Sequence, residues 1–373
     1  MSPIVGDYCP YLQQWHNVSV GLDPWLNDET QVVHRIPWVS FCGTFYATAP
    51  NAYGPLFNVY GMTSLIFPTI PRVLGCILFL AVSWMIAKRV HARQELDWKI
   101  RFWLYAGLLD NLLSFLLVTI VGGNDVYIAF FVCCALFAFI LENEALAGAA
   151  LGIGALIKFY PLYLVPFLAL DRRRLSVKFI AVAVAIFVLG MGLAYLVWGQ
   201  LIFKPLFWNL GRGASRSSII FIFALGLGKL FHVAIPASRL VLMTLAPAAI
   251  AALIVQYQLR LSRLTGFMIG YLVILIFNQI SYPEYYFPLM MTIFIYVLNE
   301  NPPPALIRAL AILFMTILLN AAFFTLVTNY KKESFSGIRV GATLIVTLID
   351  VYLIVELIRQ GRRAVEPKFR AAM

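Results

Sequence analysis

Asp7, Lys158, Arg212, Arg216 and Glu284 are the ionisable residues whose setting points to chemistry. Asp7 opens a polar, aromatic stretch that begins GDYCPYLQQW. Lys158 stands in the turn Lys158-Phe159-Tyr160-Pro161, inside the otherwise apolar run 145–170. Arg212 and Arg216 lie in the stretch 199–218, and Glu284 with Tyr285 in SYPEYY at 281–286. A carboxylate can take the proton of a hydroxyl. Ammonium and guanidinium groups hold phosphate oxygens. Apolar walls accept a hydrocarbon tail. The set therefore suits transfer chemistry on a lipid phosphate, with Asp7 as base and Lys158, Arg212 and Arg216 on the phosphate. No carboxylate, Cys and His cluster has metal-ligand spacing and the four histidines are scattered, so no metal and no cofactor is expected.

The elements that must position these residues are membrane helices. Of 373 residues 62% are hydrophobic and only 12% charged, with a mean hydropathy of +0.86. A soluble domain of this size could not hide so much apolar surface. The runs are continuous rather than alternating, which argues against a β-barrel. The fold class is all-α, a polytopic transmembrane bundle of about eleven segments. The net charge of +11 sits in short loops at 88–101, 172–178, 260–263 and 359–370. That distribution sets orientation and does not suggest nucleic acid. Those loops are assigned to the cytoplasm. Residues 1–71 form an external or interfacial segment carrying the acid, and 72–373 the helix bundle. Residues 122–125, 199–218 and 281–286 then fall on the same outer face as 1–71.

The run 145–170 lies between the acidic residues Glu144 and Asp171. Two full crossings need about 40 residues and one about 20. If the positive-inside rule holds on both flanks, the run must enter and return, as two short helices meeting at Lys158 before Pro161. Lys158 at a helix tip then needs water or an anion; a single tilted helix with a snorkelling Lys158 is the other reading. Asp7 is alternatively a helix cap. Asp23 before Pro24 and the Asn124–Asp125 pair read as turn formers. Cys9 and Cys42 share the outer segment and could pair.

Several motifs resemble one family. Gly6-Asp7-Tyr8, Gly21-Leu22-Asp23-Pro24-Trp25 and Tyr53-Gly54-Pro55-Leu56-Phe57 are similar to the first outer loop of polyprenol-phosphate-mannose-dependent mannosyltransferases, of the GT-C superfamily of integral membrane glycosyltransferases. The run from Gly152 through Lys158-Phe159-Tyr160-Pro161 to Asp171-Arg172-Arg173-Arg174 resembles the same family's Lys-x-Tyr-Pro segment. Tyr282-Pro283-Glu284-Tyr285-Tyr286 resembles a late outer turn. The resemblance implies an inverting transfer of a hexose, mannose, from a polyprenyl-phosphate sugar to a glycolipid or envelope-glycan acceptor. It implies Asp7 as the catalytic base. With the cationic set it places Lys158, Tyr160, Arg212, Arg216, Tyr53, Glu284 and Tyr285 around the donor. It further implies residence in the plasma (inner) membrane among membrane lipids, with the active site on the extracytoplasmic side. The family carries a membrane helix before the Asp, and only six residues precede Asp7, so the expectation is an upstream start. The competing classes are a lipid or polyol transporter or flippase, and a non-catalytic subunit of an envelope-assembly complex.

Overall fold

The structure, a computed structural model, describes residues 8–25, 53–121, 125–211, 218–232, 236–278, 283–300, 302–330 and 336–370. Asp7, Cys42, Asn124, Arg212 and Arg216 lie outside the described residues, as do the side chains of Cys9 and Glu284.

The described chain is helical except for one two-stranded hairpin. In order it runs α1 (Tyr8–Ser19), α2 (Pro55–Gly61), a 3-10 turn (Met62–Leu65), α3 (Ile70–Ala92), α4 (Trp98–Val121), α5 (Val126–Ile140), α6 (Glu144–Ile157), α7 (Pro161–Ala169), β1 (Leu170–Asp171) and β2 (Arg174–Leu175). Then come α8 (Val177–Trp198), a 3-10 turn (Gly199–Phe203), α9 (Lys204–Gly211), α10 (Ile219–Phe231), α11 (Ala237–Gln258), α12 (Arg263–Phe277), a 3-10 turn (Pro283–Tyr286), α13 (Phe287–Glu300), α14 (Pro304–Tyr330) and α15 (Ser336–Arg370). Six helices, in α3, α4, α8, α11, α14 and α15, are long and apolar enough to cross a membrane, and five shorter apolar helices accompany them. Their outward faces carry Trp84, Leu196, Leu230 and Met243 exposed, as expected where lipid is the solvent.

Helix ends are set locally. Asn143 Oδ1 accepts from Leu146 N at 3.0 Å at the start of α6, and Ser262 Oγ from Thr265 N at 3.3 Å at the start of α12. Both satisfy donors that have no partner within the helix. Pro161 at the first position of α7 supplies a pre-set φ where no N–H is needed. The run 145–170 is thus two short helices broken at Lys158.

The centre of the bundle is α5, α6, α12 and α13, with α8 packed along α6. Small residues let α6 and α8 approach closely. A Cβ at Gly148 would lie 2.6 Å from the Phe179 carbonyl oxygen, and one at Gly152 2.7 Å from that of Ala183. The four-residue spacing puts both glycines on one stripe, the contact mode of membrane helices that pack backbone to backbone.

At the opposite end of α7 the basic run Arg172-Arg173-Arg174 is part of a clasp. Arg172 and Arg173 occupy left-handed conformations, with φ of 50° and 73°, at the tip of the hairpin. Arg172 N donates to Leu261 O at 3.0 Å. The Arg173 guanidinium donates to the Tyr257 and Gln258 carbonyls at 3.0 and 3.3 Å, capping the end of α11. Asp171 accepts from Arg263 N at 3.1 Å.

The segment before α3 differs from a plain loop. α1 is a helix because Tyr11, Leu12 and Trp15 recur at helical spacing and are buried. They meet α2 through Tyr11 edge-on to Phe57 at 5.2 Å and Trp15 against Phe57 at 5.3 Å.

Candidate active site

Lys158 follows the last helical residue of α6 with an extended backbone, φ −149° and ψ 133°. Its side chain, only 12% exposed, turns into the bundle toward a fully buried carboxylate. Nζ lies 2.9 Å from both oxygens of Asp125, the residue that precedes α5. The same ammonium sits 3.9 Å from the centre of the Tyr285 ring, 5.1 Å from that of Tyr53 and 5.7 Å from that of Tyr160. Aromatic faces are negative at their centres and hold a cation by electrostatics. The result is a polar cluster, a chamber in the sense of one ion pair ringed by three tyrosines.

Each wall has its own support. The Gly54 N–H donates to the Ile157 carbonyl at 2.7 Å, one of the carbonyls that α6 leaves unmatched at its end. A Cβ on Gly54 would overlap the Leu156 carbonyl oxygen; glycine alone allows this approach, and it fixes Tyr53 beside the lysine. The Tyr53 ring stacks on Phe57 at 4.0 Å, and its carbonyl accepts from Trp25 Nε1 at 3.2 Å. Tyr160 hydrogen-bonds Asp125, and its hydroxyl lies 3.0 Å from that of Tyr271 on α12. The Tyr271 hydroxyl in turn donates to the Tyr285 carbonyl at 2.8 Å, tying the turn 283–286 to the chamber. Burial pushes the Asp125 carboxyl up from the usual carboxylate range, and the Lys158 ammonium pulls it back. Burial also pushes the Tyr53 phenol well up, so it stays neutral and serves as a wall and hydrogen-bonding group.

The structure therefore brings together Lys158, Tyr53, Tyr160 and Tyr285, four residues singled out in the sequence. The backbone of Glu284 belongs to the same 3-10 turn as Tyr285. Asp7, Arg212 and Arg216 lie outside the described residues. Asp23 is a turn former that also anchors: its Oδ1 accepts from Trp25 N at 2.9 Å, and its other oxygen pairs with Lys204 of α9. The functional candidate missed by sequence reasoning is Asp125, read there as a turn residue. A signal was available. It is an acid beside an apolar helix, on the face where the helix tip carrying Lys158 was expected to emerge.

Such a cluster presents a cation, matched by Asp125 and flanked by aromatic faces, that can meet an anionic group. Among the described residues no three His, Cys, Asp or Glu side chains group together as a metal site would require. The family model described as glycosyltransferase family 87 matches residues 53–278. The matched stretch begins at Tyr53 and takes in Asp125, Lys158, Tyr160 and Tyr271. Comparison with curated proteins and with solved structures gave no match.

Proposed function

The chain belongs to glycosyltransferase family 87, a GT-C-type family of membrane glycosyltransferases, and from that premise we propose that it transfers mannose from a polyprenyl-phosphate sugar to a glycolipid or envelope-glycan acceptor. The observation that carries the reading is Lys158: a buried ammonium at a break between two short membrane helices, walled by Tyr53, Tyr160 and Tyr285. Ionisable residues among membrane helices pair with one another and mark substrate or ion pathways, and Lys158 does the first with Asp125. The aromatic and aliphatic surroundings fit a phosphate that bears a hydrocarbon chain.

In this reading Asp7 removes the acceptor hydroxyl proton. The acceptor oxygen attacks the anomeric carbon from the face opposite the phosphate. The bond between that carbon and the phosphate oxygen breaks, the sugar centre inverts, and polyprenyl phosphate leaves. The leaving phosphate gains one negative charge. Lys158, with Arg212 or Arg216, stabilises that charge as it develops. Asp7 directly precedes α1, whose Tyr11 packs edge-on to Tyr53 at 5.5 Å; this link between the first helix and the chamber supports placing the base here. The site opens on the extracytoplasmic side of the plasma membrane, where the basic-loop distribution puts residues 1–71, and the five shorter apolar helices complete about eleven membrane segments.

The test is transfer by the purified protein from labelled polyprenyl-phosphate mannose to a membrane acceptor extract, compared with Asp7→Asn. The substitution is nearly isosteric and removes a base. Loss of about 10²–10⁴-fold in rate with donor binding retained is expected. Near-normal turnover in Asp7→Asn would move the base elsewhere, to Glu284 or Asp23. Failure of the unsubstituted protein with every polyprenyl-phosphate sugar would overturn the donor class.

A further inference from the structure

Among the described residues the Lys158 ammonium is already matched by a carboxylate. Among the described residues Lys158 is the cation in contact with Asp125, and its ammonium spans both carboxylate oxygens at 2.9 Å. The donor brings a phosphodiester, one further negative charge that does not titrate near neutral pH. If Lys158 turns to that phosphate, the carboxylate is left buried, fully enclosed and beside a like charge. Both conditions favour the neutral acid.

We propose that Asp125 is the positioning residue of the phosphate site, holding Lys158 in place before ligand binds and taking up one proton when a lipid phosphodiester binds. The inference rests on the reading of Lys158 as the phosphate contact. Tyr160 is hydrogen-bonded to this carboxylate and can remain so when the acid is neutral, donating to its carbonyl oxygen. The proton comes from solvent, and no covalent bond is made or broken.

Other ionisable groups surround Asp125. Tyr53 leads into α2, Tyr160 follows α6, Tyr271 is on α12 and Tyr285 is in the turn before α13. Arg72 is on α3, which packs on α5 where the Tyr127 hydroxyl donates to the Pro71 carbonyl. On α13 the ionisable side chains Tyr296 and Glu300 lie at the far end of the helix. Burial holds Tyr53 and Tyr160 neutral and Tyr285 lies beside the cation, so among the described residues around Lys158 Asp125 is the acid with a reason to change charge on binding. The charges of Asp7, Arg212 and Arg216 are separated from it by the choice of variant below.

The probe is citronellyl methyl phosphate, an isoprenoid phosphodiester with one fixed charge, bound to the full chain in detergent micelles. Calorimetry in buffers of different ionisation enthalpy counts the protons taken up by the unsubstituted protein. Uptake approaching one proton is expected, with affinity falling by up to ~10-fold per pH unit between pH 5.5 and 8. Asp125→Asn keeps the hydrogen bonding but not the charge; it should bind more tightly at pH 8 and lose both the uptake and the slope. A merely structural Asp125 would leave the slope intact in Asp125→Asn. Lys158-dependent binding without proton uptake, or with uptake that persists in Asp125→Asn, overturns the inference and leaves the phosphate reading standing. Equal binding by Lys158→Met overturns the phosphate reading itself. Absence of uptake in the unsubstituted protein overturns the inference by itself, even where a variant folds poorly.

Discussion

Lys158 and Asp125 stabilise the fold only as a pair. Removing one partner leaves a buried charge unmatched, at a cost of about 3–5 kcal/mol. Lys158→Met and Asp125→Leu should each lower the thermal unfolding midpoint sharply, whereas the double variant should recover most of the loss. Additive losses in a double-mutant cycle would show that the pair is not coupled. Tyr285 belongs to the same account. Its ring lies 3.9 Å from the ammonium, an interaction worth ~0.5–2 kcal/mol. Tyr285→Ala should therefore raise the KM for the donor while largely sparing kcat, read from initial rates at varied donor. Lys158 was legible in the sequence because a lysine and a proline interrupt an apolar run. Asp125 was not, because an acid after Gly-Gly-Asn reads as turn chemistry, and its partner is 33 residues away. Pairing across that distance is decided by how α5 and α6 pack, which local pattern does not state.

At the scale of elements, the α6–α8 stripe and the hairpin after α7 are the features most open to test. Gly152→Leu drives a side chain into the Ala183 backbone; overpacking of this kind costs typically ~1–3 kcal/mol. It should lower thermal stability in detergent and, by shifting the end of α6, weaken donor binding. The hairpin gives a sharper contrast. Arg173 makes two hydrogen bonds yet holds φ at 73°. Arg173→Ala loses the bonds and keeps the strained backbone, whereas Arg173→Gly loses the bonds and relieves strain of ~1–2 kcal/mol. Arg173→Gly should unfold at the higher temperature of the two. The break at Lys158 and the two short helices around it were readable from length, charge and Pro161. α1 was readable in principle, since Tyr11, Leu12 and Trp15 lie on one helical face. A single short aromatic stripe among turn residues carries less signal than the loop composition around it. The basic run at 172–174 was read as orientation only, because its clasp depends on α11 and α12 arriving beside it.

For the molecule as a whole, composition points to lipid as the solvent, and the basic loops carry the expectation for the sense of insertion. A helical membrane protein was legible at once from the continuous apolar runs, and the exposed apolar faces of α3, α8 and α11 agree. How many helices cross fully was less legible. α5, α6, α12 and α13, at the centre of the bundle, are short, and burial against protein relaxes the length that lipid demands of a lone span. Sidedness can be measured. Val20→Cys and Glu95→Cys occupy exposed positions on faces assigned to opposite compartments. A membrane-impermeant thiol reagent should label the first in intact cells and the second only after lysis. Labelling of both from one side would overturn the topology, and the exchanged pattern would reverse it and with it the compartment assigned to the chamber.

The order in which the chain is made gives the Asp125–Lys158 pair a second consequence. Lys158 emerges from the ribosome after Tyr53 and Asp125 but well before Tyr285, so the lysine enters the bilayer while one wall of its chamber has not yet been synthesised. A lone ammonium would then resist insertion of the α6–α7 hairpin. Asp125, already present at the start of α5, gives the nascent lysine a counter-charge at that moment. The carboxylate can thus act as an escort during biogenesis, and defects at position 125 should appear in nascent-chain insertion before they appear in the finished enzyme.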